Sequence, residues 1–385
     1  MKHILKYILP LCFIALLYSC SSESNEPNIP RSPAKRTILV YMVASNTLGD
    51  ANCDEKDLAE MRTGIMKSGL NNCRWLVFQK IRNHYPVLFE YSEKNGSVNT
   101  DTLKRYSNDF KTTDTRVMKE VLADVKSLSP ASEYGLVLWS HATGWARTLS
   151  LRKLNPKSKY KLHDFGEDSG STMPIDSVAN SIPDGMFEFI YADACYMGTI
   201  EVAYEFRNKT HFYVASPAEV PIDGMPYNDN LPCFVANDLP LAKACENTYN
   251  YYNNQSGSNR TTTLSLIDCT KIEPIANLCK SILANGNTVQ SYNSIQRYKL
   301  YTPYLFFDFK QYFDLLATPE QSTQLNTLLS QAVLYKVATQ FIFGTLYIDP
   351  AHYSGLSTYI LGTAGPTNEN YYKTLSWYKD VYPNQ

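Results

Sequence analysis

Met186-Phe-Glu-Phe-Ile-Tyr-Ala-Asp-Ala-Cys195-Tyr-Met-Gly-Thr-Ile-Glu-Val-Ala-Tyr-Glu-Phe-Arg207 changes character half-way along. Phe187–Ala192 is apolar and aromatic, and at about six residues it has the length of a buried strand rather than a helix. From Gly198 the period shifts, with Ile200, Ala203 and Tyr204 at helical spacing. Asp193-Ala-Cys195 is the junction. In an open α/β sheet, reactants bind in the crevice beyond the carboxyl ends of the strands. A thiol there, beside a helix start, is expected to gain thiolate character from the helix dipole. The alternative is a small buried cysteine in a strand-to-helix turn. A partner histidine would decide between them.

Upstream, Tyr134-Gly-Leu-Val-Leu-Trp-Ser140 is a second short apolar run, and it delivers His141 at its end. If the two runs are neighbouring parallel strands, imidazole and thiol face one crevice. That is what a Cys–His dyad requires, because the imidazole must take the thiol proton as sulfur attacks a carbonyl.

Trp139-Ser-His141-Ala-Thr-Gly-Trp145, Asp193-Ala-Cys-Tyr-Met-Gly198 with Glu201-Val-Ala-Tyr-Glu205, and Val214-Ala-Ser-Pro217 with Gly224-Met-Pro-Tyr227 together resemble the clostripain-type cysteine peptidases of the caspase-like clan. Ile38–Met42 and Ser354–Tyr359 match more weakly. The resemblance implies a caspase-like α/β fold, a doubly wound and mostly parallel sheet flanked by helices. It also implies Cys195 as nucleophile and His141 as general acid/base. The oxyanion would be held by the backbone N–H groups of Cys195 and Ala142. The family usually has glycine at 142; if that residue needed a positive φ, alanine would cost on the order of 1 kcal/mol. Cleavage after Arg or Lys is implied, through an acidic S1 pocket with Asp193 and Asp223 as its carboxylates and Glu219 as the substitute for Asp223. Charge-assisted pairing suits a guanidinium. Self-cleavage is expected within Arg147–Lys161, a basic stretch of low apolar periodicity. No cofactor is required by this reading, though calcium is admitted, with Asp164, Glu167 and Asp168 as ligands if they are not simply a solvated acidic turn.

The N-terminus reads as an address. Lys2 and Lys6 precede the apolar Ile8–Leu17, which is too short to span a bilayer, and Leu17-Tyr-Ser-Cys20 resembles a lipoprotein cleavage site. Residues 1–20 are therefore expected to be a lipoprotein signal peptide, with Cys20 lipidated, and 21–36 a polar flexible tether. An ordinary secretory signal is the alternative. The expected location is the Gram-negative cell envelope, at the outer membrane or cell surface.

Residues 37–385 are read as the peptidase unit, with a caspase-like core over 37–255 and either a C-terminal subdomain or further layers on the same sheet over 256–385. Strands are expected at Thr37–Val43, Arg74–Lys80, Tyr85–Tyr91, His211–Ser216, Thr261–Leu266 and Gly355–Leu361. Helices are expected at Leu48–Lys67, Thr115–Leu128, Lys271–Asn285 and Glu320–Tyr335. Lys plus Arg (36) balances Asp plus Glu (37), which gives no field to recruit nucleic acid. The expected partners are a peptide or protein with a basic P1 residue and the membrane through a lipid anchor, with the enzyme itself a monomer. Nine cysteines include no Cys-x-x-Cys, so a structural zinc site is not expected. The rival reading is a catalytically inactive, peptidase-fold surface lipoprotein that binds peptide or glycan through some of its 29 tyrosines.

Overall fold

Among the described residues nine strands join into one sheet, and its central strands are buried on both faces, the pattern of strands covered on both sides. The structure, a computed structural model, describes residues 31–147, 149–150, 161–162, 164–300 and 302–382. The chain divides into Met1–Ser32 and a compact unit, Pro33–Gln385. The expected signal peptide, the expected lipidation site Cys20 and most of the expected tether lie outside the described residues, as does most of Arg147–Lys161.

In chain order the strands are β1 (Ala34–Ala44), β2 (Cys73–Ile81), β3 (Val87–Lys94), β4 (Ser97–Arg105), β5 (Ala131–Trp139), β6 (Phe187–Asp193), β7 (Thr210–Ala215), β8 (Thr263–Asp268) and β9 (Val333–Ala338). Across the sheet they run β9-β8-β7-β6-β5-β1-β2-β3-β4. The five central strands, β7, β6, β5, β1 and β2, are parallel, and both flanks are antiparallel. From β1 the chain first builds outward to β4, then returns to the other side of β1 to lay down β5 and β6. The strand order reverses there, which makes the carboxyl ends of β1, β5 and β6 the topological switch point.

Side chains alternate across each central strand. Leu39, Tyr41, Leu136, Leu138, Ile190 and Ala192 face a core shared with α3 (Thr115–Leu128), α4 (Ile175–Ser181), α5 (Ile200–Phe206), α8 (Ile272–Leu283), α9 (Phe309–Asp314), α10 (Pro319–Ala332) and α12 (Ser376–Val381). Val40, Met42, Val137, Trp139, Phe189 and Tyr191 face the opposite core, shared with α2 (Cys53–Ser68), α6 (Tyr227–Val235) and α7 (Leu241–Asn253). Each such apolar side chain taken from water contributes roughly 2 kcal/mol.

Several expectations need correcting. The predicted helix Leu48–Lys67 is broken into α1 (Thr47–Asp50) and α2 at Asn52, whose φ of 57° no helix accepts. Glu320–Tyr335 stops being helical at Ala332; Val333–Tyr335 instead open edge strand β9. The late strand shrinks to Ser357–Thr358, which pairs with Phe307–Asp308 rather than the main sheet. The supposed solvated acidic loop contains a hairpin, Phe165–Asp168 with Ser171–Met173. Asp164 and Asp168 there are buried; Asp168 accepts hydrogen bonds from the N–H and Oγ1 of Thr112, both at 2.9 Å. Beyond residue 256 the chain adds β8 and β9 to the one sheet and sends Tyr359 and Tyr372 against Trp145, with ring centroids 4.8 and 5.0 Å away. Among the described residues no helix is long and apolar enough to cross a membrane.

Candidate active site

Phe189–Asp193 of β6 pair in parallel register with Gly135–Trp139 of β5, so Asp193 stands beside Trp139. Two residues beyond each partner the chain presents His141 and Cys195. Both line a cavity of about 290 Å³, together with Leu48, Asp193, Glu219, Val220 and Ile222. The parallel register therefore brings thiol and imidazole to one crevice, at the switch point.

Close backbone approaches build the turn that carries Cys195. Tyr196 takes a φ of 58°, an uncommon conformation for a bulky residue, and its N–H donates to Ala218 O at 2.9 Å. The N–H of Gly198 donates to Ser216 O at 2.7 Å, and a Cβ on Gly198 would lie 2.5 Å from Pro217 N. Only then does α5 begin, N-capped by the Thr199 hydroxyl. Ser216 has a structural role as well, its hydroxyl 2.7 Å from that of Thr263.

The thiol is half-buried and engaged by Val220: the N–H of Val220 donates to Sγ at 3.3 Å, and Sγ lies 3.6 Å from Val220 O. Burial, then the negative charge of Glu219, push the thiol up to about 12 against the weaker help of the Val220 N–H. The expected activation by a helix dipole is therefore absent, because α5 starts five residues later and desolvation dominates. The imidazole is also occupied, with Nε2 2.8 Å from the Thr47 hydroxyl, and burial lowers its proton affinity. At neutral pH both groups rest uncharged, each bonded to a neighbour other than its dyad partner.

Ala142 is the second residue expected to meet the oxyanion. Its φ is not positive; that conformation falls to Gly144, at 61°. The anticipated strain at 142 does not arise. The bridge between Ala142 and Phe165 uses the N–H groups of Thr143 and Gly166, which leaves the Ala142 N–H outside the pairing.

Asp193 is buried under the loop after β7. Its carboxylate accepts from the N–H of Met225 at 3.1 and 3.3 Å and from the Tyr227 hydroxyl at 3.1 Å. A Cβ on Gly224 would come within 2.8 Å of its Oδ2, so only glycine lets the loop close over the carboxylate. Burial raises the Asp193 carboxyl to about 6, against those hydrogen bonds. Asp223 is placed elsewhere. It is about half exposed, pairs with Lys56 at 2.5 Å, and is not among the cavity's lining residues. Glu219, the substitute for it, does line the cavity and accepts from the Tyr196 hydroxyl at 2.7 Å.

Thr47, Val220 and Asp57 escaped the sequence reading. Asp57 is 1% exposed and accepts from the Trp139 indole N–H at 2.6 Å. Its signal was present: Asp57 shares the buried stripe of α2 with Leu58, Met61 and Ile65.

The clostripain family profile (Peptidase_C11) matches residues 40–382. The chain belongs to the clostripain family. Similar solved structures include an inactive zymogen C11 protease from Parabacteroides distasonis, 28% identical with a TM-score of 0.78, matching 92% of this chain and 99% of that one. A secreted C11 cysteine protease from Bacteroides thetaiotaomicron, in complex with an irreversible peptide inhibitor, is 26% identical with a TM-score of 0.78, matching 91% and 100%. Among curated proteins no significant match is found. With its mixed nine-stranded sheet, mostly parallel at its centre, and helices on both faces, this clostripain-family chain has the caspase-like fold.

All seven cysteines among the described residues are free, and five of them are buried. Among the described residues no group of three or more His, Cys, Asp or Glu side chains is disposed to hold a metal ion. Of the tyrosines, Tyr252 and Tyr298 are core residues, and Tyr252 donates to Gly224 O beneath the site.

Proposed function

We propose that this chain is an exported cysteine endopeptidase that cleaves after Arg or Lys by a Cys195–His141 dyad. The observation that carries the reading is a shared cavity: thiol, imidazole and the buried Asp193 carboxyl meet at the ends of two paired parallel strands. In the reaction the imidazole takes the thiol proton as sulfur attacks the scissile carbonyl carbon, and the oxyanion is met by the N–H groups of Cys195 and Ala142. Collapse breaks the C–N bond, the imidazolium returns its proton to the departing amine, and water hydrolyses the thioester by the reverse sequence. Asp193 takes the basic P1 group, with Glu219 on the cavity wall and Asp223 outside it. Lipidation at Cys20 ties the monomeric enzyme to the cell envelope. The held thiol and imidazole suit a latent state, released by cutting within Arg147–Lys161.

Hydrolysis of fluorogenic peptides with Arg, Lys, Ala or Asp at P1, with and without calcium, tests this. The mature chain from residue 21 should turn over the Arg and Lys peptides, and Cys195→Ala and His141→Ala should each lose at least about a thousandfold in kcat/KM. Turnover only after neutral residues would keep the dyad and remove the roles of Asp193, Glu219 and Asp223. Folded protein that is inert even after trypsin nicks the loop would favour the inactive binding protein.

A further inference from the structure

Glu219 lines two cavities. One holds Cys195 and His141; the other, of about 330 Å³, is walled by Tyr196, Tyr298, Lys299 and the hairpin in which Phe341–Ile342 pair with Leu346–Tyr347. A peptide lying across Cys195 can therefore set one side chain in each. The walls of the second cavity are held in shape by uncommon backbone. The hairpin turns at Phe343 and Gly344, with φ of 48° and 69°, and the N–H of Phe343 donates to the Thr261 hydroxyl at 3.0 Å. Tyr196 is left-handed as well, and its ring stacks on Phe306 with centroids 4.4 Å apart.

We propose, resting on the peptidase reading above, that this cavity is a second substrate subsite, in which Lys299 receives the carboxylate of a glutamate close to the scissile bond.

Lys299 sets the chemistry. It is 6% exposed, a costly place for an ammonium group, and its Nζ donates to Pro303 O at 3.4 Å. Burial pulls the ammonium down to about 8 against the charge of Glu219, so at neutral pH it is still largely a cation. A basic side chain would be repelled, and a wholly apolar one would leave that charge unused. A glutamate uses both features: its methylene stem suits Ile342, Phe343 and Leu346, and its carboxylate can take a charge-assisted hydrogen bond from the ammonium. Glu219 does not forbid this. The Tyr196 hydroxyl donates to it at 2.7 Å, and a basic P1 side chain in the adjoining cavity answers its charge from the other side. Charges then alternate along the bound peptide: P1 cation, Glu219, Lys299, substrate carboxylate.

Internally quenched peptides test this on the mature chain. Arg is fixed at P1, and Glu is exchanged for Gln at each position from P4 to P2 and from P1′ to P3′. At one position Glu should be preferred by about tenfold in kcat/KM. Lys299→Met keeps the stem and removes the charge, and it should bring that ratio to about one. A merely structural lysine would lower both peptides alike and leave the ratio as it was. If the variant does not fold, the wild-type series decides by itself, since the absence of a Glu preference at every position overturns the subsite. So does a preference that survives Lys299→Met, and in either case turnover after Arg leaves the basic pocket standing. If only peptides with a neutral P1 are cleaved, the exchange is made on those: a Glu preference there keeps the Lys299 subsite and removes the basic pocket. If nothing is cleaved, the same peptides carrying a fluorophore are titrated against the protein, and the ratio is read in Kd.

Discussion

The turn after β5 and the turn after β6 each carry half of the proposed dyad, and the chain supports them differently. The His141 turn leans on the end of β1, where the Ser140 hydroxyl donates to Val43 O at 2.8 Å and Asn46 Nδ2 donates to Ser140 Oγ at 3.2 Å, and on the hairpin that follows it: Gly166 N–H donates to His141 O and Thr143 N–H to Asp164 O, each at 2.9 Å. That hairpin is pinned in turn to Thr112 through Asp168. The Cys195 turn is held chiefly by β7 and the loop just after it, and by one distant segment. Ser216 and Ala218 accept from Gly198 and Tyr196, the Tyr213 hydroxyl donates to Met197 O at 2.9 Å, and Ser357 N–H reaches Gly198 O at 3.0 Å. The sulfur's turn is thus fixed wholly within the part of the chain that follows the proposed cut, and the imidazole's turn from both sides of it. The proposed cut would therefore divide the imidazole's supports between two pieces and leave the sulfur's within one.

Three substitutions can break or sharpen that contrast. Gly198→Ala should be the most damaging, because its methyl group would meet backbone rather than a movable side chain. We expect a loss of about 3 kcal/mol in denaturant unfolding; an unchanged midpoint would deny that the nucleophile turn is packed so closely. Asp168→Asn loosens the other support. It should cost about 2 kcal/mol and lower kcat on Arg peptides, yet leave the alkylation rate of Cys195 unaltered. Equal changes at both residues would mean the two turns are not independently held. Glu219→Gln is the mildest. The Glu219 carboxylate raises the thiol, so its neutralisation must lower it, and iodoacetamide at pH 8 should label the variant several-fold faster. In the wild type, a thiol raised to about 12 should label slowly and still accelerate with each pH unit from 8 to 10, without the plateau of an ordinary cysteine.

The central sheet was readable because strand and helix periods differ and the apolar runs of β1, β5 and β6 are unbroken. The same logic placed His141 and Cys195 at strand ends. What it could not supply was the state of the site. Thr47, Val220 and Asp57 reach it from separate elements, and no local pattern announces a hydroxyl against an imidazole or a backbone amide against sulfur. The thiol's environment was misjudged for a related reason: dipole effects are local and visible in sequence, whereas desolvation is the sum of all that packs around. Strand β4 shows a missed local cue. Its residues are mostly polar, but Asn95-Gly96, with φ of 54° and 73°, is the two-residue turn that marks a hairpin. The burial of Asp164 and Asp168 is not legible locally, because charge usually means exposure and their partners Arg147 and Thr112 lie on other segments.

Since β5 and β6 are direct neighbours in the sheet while the chain between them carries the proposed cut, a nicked molecule would be two polypeptides sharing one core. Its N-terminal piece would own the imidazole and its C-terminal piece the sulfur, joined by the backbone ladder of Gly135–Trp139 with Phe189–Asp193 and by the contact of α3 with α4. Such a molecule would run as two bands under denaturing conditions and sediment as one particle. Its halves, made separately, would each be inert until they paired, so that activity itself would report their assembly.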